Sequence, residues 1–248
     1  MKIGIIGGSG LETLNIFEDY EELNIKTEYG NPSSSIFHGR LQQSKEVFII
    51  SRHGRNHQYS PSQVNNRANI NALKKCGVTL IIATTACGSL REEIGTGHLV
   101  VPNQFIDFTK RRENTFYHSF ENSGPVHTAM PDPFDEHLRQ SIVKKAREKE
   151  HHIHDKATVI TIEGPRFSTR AESKMFRSWG ADIINMSTAP EAALANEVNL
   201  KYAAIAISTD YDSWKENEKH ATWEDIVTVF KHKTEDVKSL LAEIIKAL

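Results

Sequence analysis

Short apolar runs rich in β-branched residues recur along the chain and alternate with stretches of helical periodicity. The runs occupy residues 2–6, 47–51, 78–84, 158–162, 182–184 and 202–208. Their continuous apolar character predicts strands that are buried on both faces. Strands that alternate with helices imply a largely parallel or mixed sheet covered on both sides. No linker or repeat interrupts the pattern, which predicts one α/β domain over residues 1–248, with a mixed central sheet between two helical layers.

The helical stretches show apolar residues spaced three, four and seven positions apart. Gly77 is a plausible residue to end the first of them, and Pro190 suits the first turn of the fourth. Residues 24–29 and 35–41 are expected to add a hairpin or sheet edge. Residues 109–133 lack periodicity and predict a long irregular excursion, which in a domain usually has a functional or interface role. The helices are predicted at residues 64–76, 134–146, 169–179, 190–198 and 230–248.

Composition excludes several classes of protein. The net charge is −2, from 30 Lys and Arg against 32 Asp and Glu, so the chain has no overall basic field that would attract nucleic acid. The longest apolar stretch, residues 78–90, is too short to cross a bilayer, and no signal segment is visible. We therefore expect a cytoplasmic protein with no membrane partner. Cys76 and Cys87 are expected to be reduced and structural, because two cysteines make neither a disulfide scaffold nor a zinc module.

Hydrogen-bond donors follow the first strands of the predicted sheet, where ligands of open α/β sheets bind. Residues 7–10, Gly-Gly-Ser-Gly, let backbone N–H groups approach an anion, and Ser9 adds a hydroxyl. A tight turn without a ligand fits the same residues, whereas the dinucleotide fingerprint and the Walker A loop do not. Arg52 offers a planar fork for phosphate, with further donors in residues 84–90. Together these loops could hold a small oxyanion.

Histidines offer a metal-site alternative at two places. His53 and His57 have helical metal-ligand spacing, but Gly54 argues against a helix and no Glu completes the motif. They are therefore interpreted as donors beside Arg52, with a solvated basic loop as the alternative. Residues 151–154, His-His-Ile-His, follow the charged end of a helix and are interpreted as a solvated terminus. No metal site is expected.

Later strand ends have a different character. Residues 163–168 bring an aromatic ring and a hydroxyl, and residues 185–188 bring a methionine beside polar side chains. This mixture can hold a base and a sugar. Asp210 and Asp212 follow an apolar run, and extended backbone would direct both carboxylates to one face. In a partly apolar pocket one can stay protonated while the other ionises; an Asx-turn or cap is the structural alternative.

Taken together, these segments and several neighbours resemble the trimeric purine nucleoside phosphorylase family, in the family's order and over nearly the whole chain. The resemblance implies a nucleoside phosphorylase-like fold. Within that family, the resemblance is strongest to the members that cleave 5′-methylthioadenosine. These enzymes use phosphate to give adenine and 5-methylthioribose 1-phosphate, a pentosyl transfer in purine and methionine salvage. Adenosine or methylthioinosine is the alternative substrate. The segments are residues 4–10, 52–57, 84–93, 104–107, 161–168, 170–173, 184–186, 209–212 and 214–216.

The resemblance also implies roles for individual residues. Met186 would contact the ribose and Phe167 the base. Asp210 would donate a proton to N7 as the catalytic acid, and Ser168 and Asp212 would recognise the adenine edge. An acid at position 210 suits a 6-aminopurine, whereas relatives acting on 6-oxopurines have Asn there. Phosphate would be bound by Ser9, Arg52, His53, Thr85, Ala86 and Ser187, and the nucleoside site would be completed by His57, Ile184, Thr209, Trp223 and His127.

Assembly and cofactor use are further implications of the resemblance. The family implies a homotrimer in which His127 reaches the methylthio pocket of the neighbouring subunit, which would give residues 109–133 a role. No organic cofactor or metal is implied, since inorganic phosphate is a co-substrate. Trp223 departs from the smaller aliphatic residue expected over the 5′ substituent, and His220 is also unusual. The chain ends soon after its last helix, so no longer C-terminal contribution is expected.

Overall fold

The computed structural model of the chain describes residues 1–8, 17, 19–41, 45–121, 123–216, 218 and 222–248. Within these residues the strands are β1 (Lys2–Gly7), β2 (Tyr20–Leu23), β3 (Ile36–Leu41), β4 (Lys45–Ser51), β5 (Leu80–Ser89), β6 (Leu99–Val100), β7 (Gln104–Phe108), β8 (Ile153–His154), β9 (Thr158–Ile162), β10 (Ile183–Asn185) and β11 (Lys201–Tyr211). The α-helices in the same residues are α1 (Asn66–Lys75), α2 (Glu136–Glu148), α3 (Arg170–Ser178), α4 (Thr188–Glu197) and α5 (Trp223–Ala247).

One mixed sheet joins the described strands, in the order β2-β3-β4-β1-β5-β10-β9-β7, with β11, β6 and β8 branching from β5. β11 occupies one edge of β5 along its whole length. On the other edge, β1 pairs in parallel only as far as Ala83, and β10 takes over in antiparallel sense at Gly88 and Ser89. No described strand pairs with residues 84–87 on that edge. This gap between β1 and β10 leaves room for a ligand at the middle of the sheet.

Helices cover both faces of the sheet. Because side chains alternate along a strand, Ile3 and Ile5 of β1 face one core and Ile6 faces the other. The first core contains α2 and α5, through residues such as Ile142, and the second contains α1 and α4, through residues such as Ile70. The predicted α/β class with a mixed central sheet is therefore confirmed; the single-domain assignment stays a prediction.

Polar side chains fix the ends of the helices where the sequence supplies them. Asn65 accepts a hydrogen bond from the backbone N–H of Ala68 and begins α1. Gly77 follows that helix with φ +81°, the left-handed conformation expected of its predicted terminating role. Thr169 begins α3 with a reciprocal capping box to Glu172. These residues set where α1 and α3 begin and where α1 ends.

Three predictions of the strand pattern need correction. The sheet edge uses β2 in place of residues 24–29, because Thr27 and Gly30, the latter with φ +95°, form a turn there. Residues 84–90, predicted as a loop, remain in β5 as far as Ser89, since pairing with β11 continues. For the same reason β11 continues to Tyr211. Both long strands therefore carry site residues on the sheet itself.

Two other expectations can be compared with the described residues. Between β7 and α2 the described residues form neither helix nor strand, as predicted for the excursion. None of the helices in the described part of the chain is both long and apolar enough to cross a membrane.

Candidate active site

A cavity of about 730 Å³ opens where the carboxyl ends of β4, β5, β10 and β11 meet. It brings together residues that are distant in sequence, from the end of β4 to the first turn of α5. Most of the residues predicted for phosphate and nucleoside line it. They are Arg52, His53, His57, Thr85, Ala86, Phe167, Ser168, Ile184, Met186, Ser187, Thr209, Asp210, Asp212 and Trp223.

Two further predicted site residues are Ser9 and His127. Ser9 lies outside the described residues, as does His220, the second unusual residue near the 5′ substituent. His127 lies in the segment between β7 and α2, where its ring packs edge to face against Phe120 at 5.5 Å. Placement of His127 in a neighbouring subunit's cavity stays a prediction.

Arg52 is the central cation of one half of the cavity, and its side chain is only 2% exposed. Its Nε and Nη2 donate to the two carboxylate oxygens of Glu191 at 2.5 and 3.0 Å. Its Nη1 donates to the carbonyl oxygen of Thr84 at 2.8 Å, in the gap on the edge of β5. A Cβ at Gly8 would overlap that carbonyl and come within 2.7 Å of Nη1. Glycine at position 8 therefore lets the end of β1 lie against the guanidinium.

A cluster of hydroxyl and amide groups lies beside Arg52. The hydroxyls of Thr85 and Ser187 are 3.0 Å apart, and Asn185 donates to Thr188 at 2.6 Å. Ser187 precedes α4 directly, so the positive end of the helix dipole faces the cavity. Most of these groups are neutral donors, and together with Arg52 they form an anion-binding half of the cavity.

Two stacked histidine rings and a tilted tryptophan ring form one wall of the cavity. His53 and His57 have ring centroids 4.5 Å apart, and His57 lies 5.1 Å from the ring of Trp223. A contact between His53 Nδ1 and the carbonyl oxygen of Tyr59, at 2.9 Å, places the proton on Nδ1. Trp223 begins α5 directly after the capping residue Thr222. The wall therefore combines residues that follow β4 with a residue from the start of α5.

Two carboxylates occupy the opposite chemical half of the cavity. The pairing of β11 with β5 shifts register between Ser208 and Asp210, leaving Thr209 as the extra residue. Such bulges redirect side chains at sites. Thr209 donates to Asp210 Oδ1 at 2.7 Å. Both Asp210 and Asp212 line the cavity, as the predicted common face requires.

The protonation of these carboxyls is shifted by their surroundings. Burial raises the pKa of Asp210 to about 6, and the charge of Asp212 adds to the rise, although the Thr209 hydroxyl opposes it. Burial also raises the pKa of Asp212, against hydrogen bonds from Ser168 and Ser173 that favour the ionised form. Ser168 makes a short contact with Asp212 Oδ2. The pair therefore combines a carboxyl that titrates near neutrality, Asp210, with a second carboxyl, Asp212, that a serine hydroxyl contacts.

Glu191 is a site residue that sequence reasoning missed. It holds Arg52, accepts a hydrogen bond from Tyr202 at 2.8 Å and is 1% exposed, although it does not line the cavity. A lone acid in the apolar run around Ala192 and Leu194 was the available signal, because a charge on a buried helix needs a partner.

Glu163 and Arg112 form a second missed element. The pKa of Glu163 is lowered to about 2, although burial alone would raise it. The cause is a set of hydrogen bonds from the amides of Lys110 and Arg111 and from the side chains of Ser62 and Arg112. Arg112 also donates to the carbonyl oxygen of Met186 at 3.1 Å. The pair ties the start of the excursion to the predicted ribose contact. No periodic signal in the sequence indicates this link.

Cys87 lines the cavity but lacks the character of a nucleophile. Burial raises the pKa of its thiol, and the charge of Asp210 raises it further. A thiol held protonated in this way is inert. The interpretation of Cys87 as structural is consistent with this environment.

The histidines after α2 differ from the predicted solvated terminus. His154 belongs to β8, and its Nε2 lies 3.0 Å from His98 Nδ1. The His98 ring also stacks on His152 at 5.0 Å. The prediction was wrong for His154, because the pairing of β8 with β6 brings its ring onto His98, whereas His152 is exposed as predicted. Among the described residues, no group of His, Cys, Asp and Glu is arranged to hold a metal ion.

Comparison with known proteins identifies the family. The model of the phosphorylase superfamily matches residues 2–246. The chain belongs to that superfamily. Among curated relatives, S-methyl-5′-thioadenosine phosphorylase of Drosophila melanogaster is 47% identical over 247 residues, 99% of this chain and 85% of that protein. The enzyme of the same name from Hyperthermus butylicus is 49% identical over 247 residues, 99% of this chain and 88% of that protein.

Solved structures of this superfamily show the same fold. Methylthioadenosine phosphorylase from Schistosoma mansoni in complex with adenine gives a TM-score of 0.95 at 40% identity, covering 100% of this chain and 91% of that one. A mutant of adenosine/methylthioadenosine phosphorylase from the same organism, in complex with methylthioadenosine, gives 0.93 at 39% identity with the same coverage. The predicted nucleoside phosphorylase-like fold is therefore confirmed.

Proposed function

We propose that this chain uses inorganic phosphate to cleave the N-glycosidic bond of 5′-methylthioadenosine, giving adenine and 5-methylthioribose 1-phosphate. The observation that carries the proposal is one cavity with two chemical halves. One half offers Arg52 with hydroxyl and amide donors for an oxyanion, and the other offers a buried carboxyl, Asp210, whose pKa is about 6. The names of the similar phosphorylases support the choice of nucleoside.

Phosphate in this proposal occupies the anion-binding half. Cleavage of the C–N bond gives the sugar oxocarbenium character, so a phosphate oxygen held close to C1′ both stabilises that charge and completes the new bond. Arg52, Thr85 and Ser187 offer preorganised donors for the other oxygens. Because these donors are held by protein partners, little reorganisation is needed when phosphate binds.

The leaving adenine occupies the other half. As the bond breaks, negative charge develops on the base, and a proton offered at N7 by Asp210 neutralises it. The Asp210 carboxyl titrates near pH 6, so its acid form is accessible close to neutrality. Asp212 and Ser168 lie together on the same side and supply an acceptor and a hydroxyl for the adenine edge. An acid at position 210 suits the 6-amino group better than a 6-oxo group.

The sugar lies between the two halves. Met186 offers a soft apolar surface to the ribose, and Phe167 and Ile184 line the base region. Trp223 and Ile226 lie on one face of α5, three residues apart, and both line the cavity. This apolar wall is matched to a thioether at the 5′ position, and the large Trp223 ring restricts its size.

Assembly and location form part of the same proposal. The chain functions as a cytoplasmic homotrimer without a metal or organic cofactor. His127 supports the trimer, because it lies in a long irregular segment away from its own cavity. It completes the methylthio pocket of the neighbouring subunit.

The test is adenine release from 5′-methylthioadenosine with and without phosphate. The proposal expects release that depends on phosphate, with 5-methylthioribose 1-phosphate as the second product. Equal release in both conditions would indicate a hydrolase and contradict the proposal. A panel containing adenosine and methylthioinosine then compares kcat/KM across bases and 5′ groups. A higher value for either of these two substrates would favour the alternative substrate.

A further inference from the structure

Glu191 lies behind the anion-binding half without lining the cavity. It occupies the first turn of α4, four residues after Ser187, and is 1% exposed. Both of its carboxylate oxygens accept hydrogen bonds from the Arg52 guanidinium, through Nε and Nη2. The contact is therefore two-pronged and sets the plane of the guanidinium as well as its position.

Tyr202 holds Glu191 from the opposite side. Its hydroxyl donates to Oε2 of Glu191 at 2.8 Å, and its side chain is 1% exposed. Burial raises the pKa of Tyr202 well above its usual range, so the hydroxyl remains a donor. Tyr202 belongs to β11, the strand that carries Asp210 at its other end. The Glu191 carboxylate is thus immobilised between a strand and the arginine.

Stability alone does not account for this arrangement. Removing two charges from water is costly, and an apolar pair of similar volume often stabilises a fold as well as a buried ion pair does. A buried bidentate pair does fix geometry, because arginine has a rigid planar fork. Since Nη1 is also bonded to the carbonyl oxygen of Thr84, the guanidinium cannot rotate in its plane without losing a bond.

We propose that Glu191 is a positioning residue that acts through Arg52, aiming the guanidinium at phosphate in the cavity. The inference rests on the proposed function, since phosphate is the anion assigned to that half. Glu191 touches neither phosphate nor nucleoside, and Tyr202 supports it. The consequence is a selective effect on phosphate, with little effect on the nucleoside.

The first experiment replaces Glu191 with a residue of the same shape. In Glu191→Gln, one acceptor becomes an NH₂ group that faces an arginine donor, so the guanidinium loses its fixed plane. With the nucleoside saturating, KM for phosphate is expected to rise roughly tenfold to hundredfold, the scale of a lost charge-assisted hydrogen bond. KM for the nucleoside is expected to change less than about threefold.

Controls distinguish positioning from general damage. Glu197→Gln alters an acid at the other end of α4, where Glu197 bonds Thr115 and Phe116, and should leave KM for phosphate unchanged. Tyr202→Phe removes only the support of Glu191 and should raise KM for phosphate by a smaller factor. It also keeps the proposal testable if Glu191→Gln does not fold.

A double-mutant cycle asks whether Glu191 acts through Arg52. Arg52→Lys removes the fork, so adding Glu191→Gln to it should change KM for phosphate no further. Additive effects in the cycle would overturn the proposal, as would a lower KM for phosphate in Glu191→Gln. So would a drop in melting temperature with both KM values unchanged.

Direct phosphate binding separates this inference from the proposed function. Calorimetry with inorganic phosphate alone compares wild type, Glu191→Gln and Tyr202→Phe without any nucleoside. Weaker phosphate binding in the variants would support the role of Glu191 even if wild type failed to release adenine. Equal phosphate binding in all three would overturn it even if the wild type proved to be a phosphorylase.

Discussion

The two halves of the cavity contain opposite charges, and only one of these charges is paired with a counter-ion among the described residues. On the anion side, Arg52 is paired with Glu191 and also bonded to a carbonyl oxygen, and both partners are almost fully buried. On the base side, Asp210 has no such counter-ion in the described residues; it accepts a hydrogen bond from the neutral hydroxyl of Thr209. Burial and the nearby Asp212 then raise its pKa to about 6.

This difference fits the task that the proposed function gives to each half. An arginine that binds phosphate keeps its charge throughout, so a fixed counter-ion holds it in place at no catalytic cost. An acid that donates a proton must exist in both forms, and a strong cationic partner would hold it ionised. One half is therefore built for constant charge and the other for changing charge.

The largest expected effect comes from replacing the titratable carboxyl of Asp210 with a group that cannot ionise. Asp210→Asn keeps the shape but removes the transferable proton, so kcat on adenine nucleosides is expected to fall about 10²- to 10⁴-fold. KM for phosphate should change little, because Arg52 is untouched. Steady-state kinetics with each substrate varied in turn measures both. Unchanged kcat would remove Asp210 from the role of N7 donor.

Breaking the anion side should give a smaller and different loss. Arg52→Lys retains the charge but loses the planar fork, and KM for phosphate is expected to rise roughly tenfold to hundredfold. KM for the nucleoside should stay near the wild-type value. Steady-state kinetics measures both KM values. A rise in KM for the nucleoside alone would show that the two halves are assigned the wrong way round.

The pH dependence of the rate tests the proposed change in protonation of Asp210 directly. The acid form of Asp210 is lost as pH rises through its pKa of about 6. The value of kcat/KM for the nucleoside should then fall by up to about tenfold per pH unit above that value. Rates measured from pH 5 to 9 at saturating phosphate determine this decrease. A profile that stays flat across this range would contradict a proton donated by Asp210.

The apolar wall should influence substrate range more than rate. The Trp223 ring lies tilted at 5.1 Å from the His57 ring and lines the cavity, so Trp223→Val enlarges the end of the site where the 5′ group is placed. The ratio of kcat/KM for a bulky 5′-thioether to that for 5′-methylthioadenosine is expected to rise roughly tenfold. A competitive substrate assay measures this ratio, and Trp223→Phe is the matched control. No change in the ratio would place the 5′ group elsewhere.

The smallest expected effect lies outside both halves, at His98. Its Nδ1 accepts the backbone N–H of Gly95, and burial lowers its pKa, with His154 and His152 adding to the shift and Lys233 contributing. Burial likewise lowers the pKa of His154, although the charge of Glu93 opposes it. As pH falls below about 6.5, the unfolded chain binds protons first.

Stability is therefore lost as the pH falls through the range below about 6.5. In His98→Asn the loss between pH 7 and pH 5 should be smaller by about 0.5 kcal/mol, the scale of a solvent-screened interaction. Asparagine can still accept the Gly95 N–H. Urea unfolding at each pH measures the free energy of unfolding, and parallel pH curves for the two proteins would contradict the expectation.

Local residue pattern predicted the central strands, the helices and the strand ends that carry Arg52 and Asp210, whereas the family resemblance supplied other cavity residues such as Ser187 and Trp223. Strand ends in an α/β sheet meet at one edge, so Arg52 and Asp210 could be placed in one site from chemistry and position alone. The strand ends themselves were misjudged at Thr84 and Ser208, because pairing with a neighbouring strand continues β5 and β11 beyond their apolar runs.

The partners of the site residues were not predictable from local pattern. Glu191 is 139 residues from Arg52, and Arg112 is 51 residues from Glu163, so no spacing rule links them. Hydrogen bonds between distant segments depend on tertiary packing. The histidines at 98, 152 and 154 illustrate the same limit, since a two-residue strand pairing brings them together.

The shared bonds of Arg52, Glu191 and Tyr202 have a consequence for sequence variation. Replacing Arg52 or Glu191 with an apolar residue leaves the other charge buried without its partner, at a cost of about 3–5 kcal/mol. That cost is a large fraction of the stability of an ordinary domain. The two charged positions should therefore change together in evolution, and a library that replaces either of them alone with apolar residues would yield mainly unstable proteins.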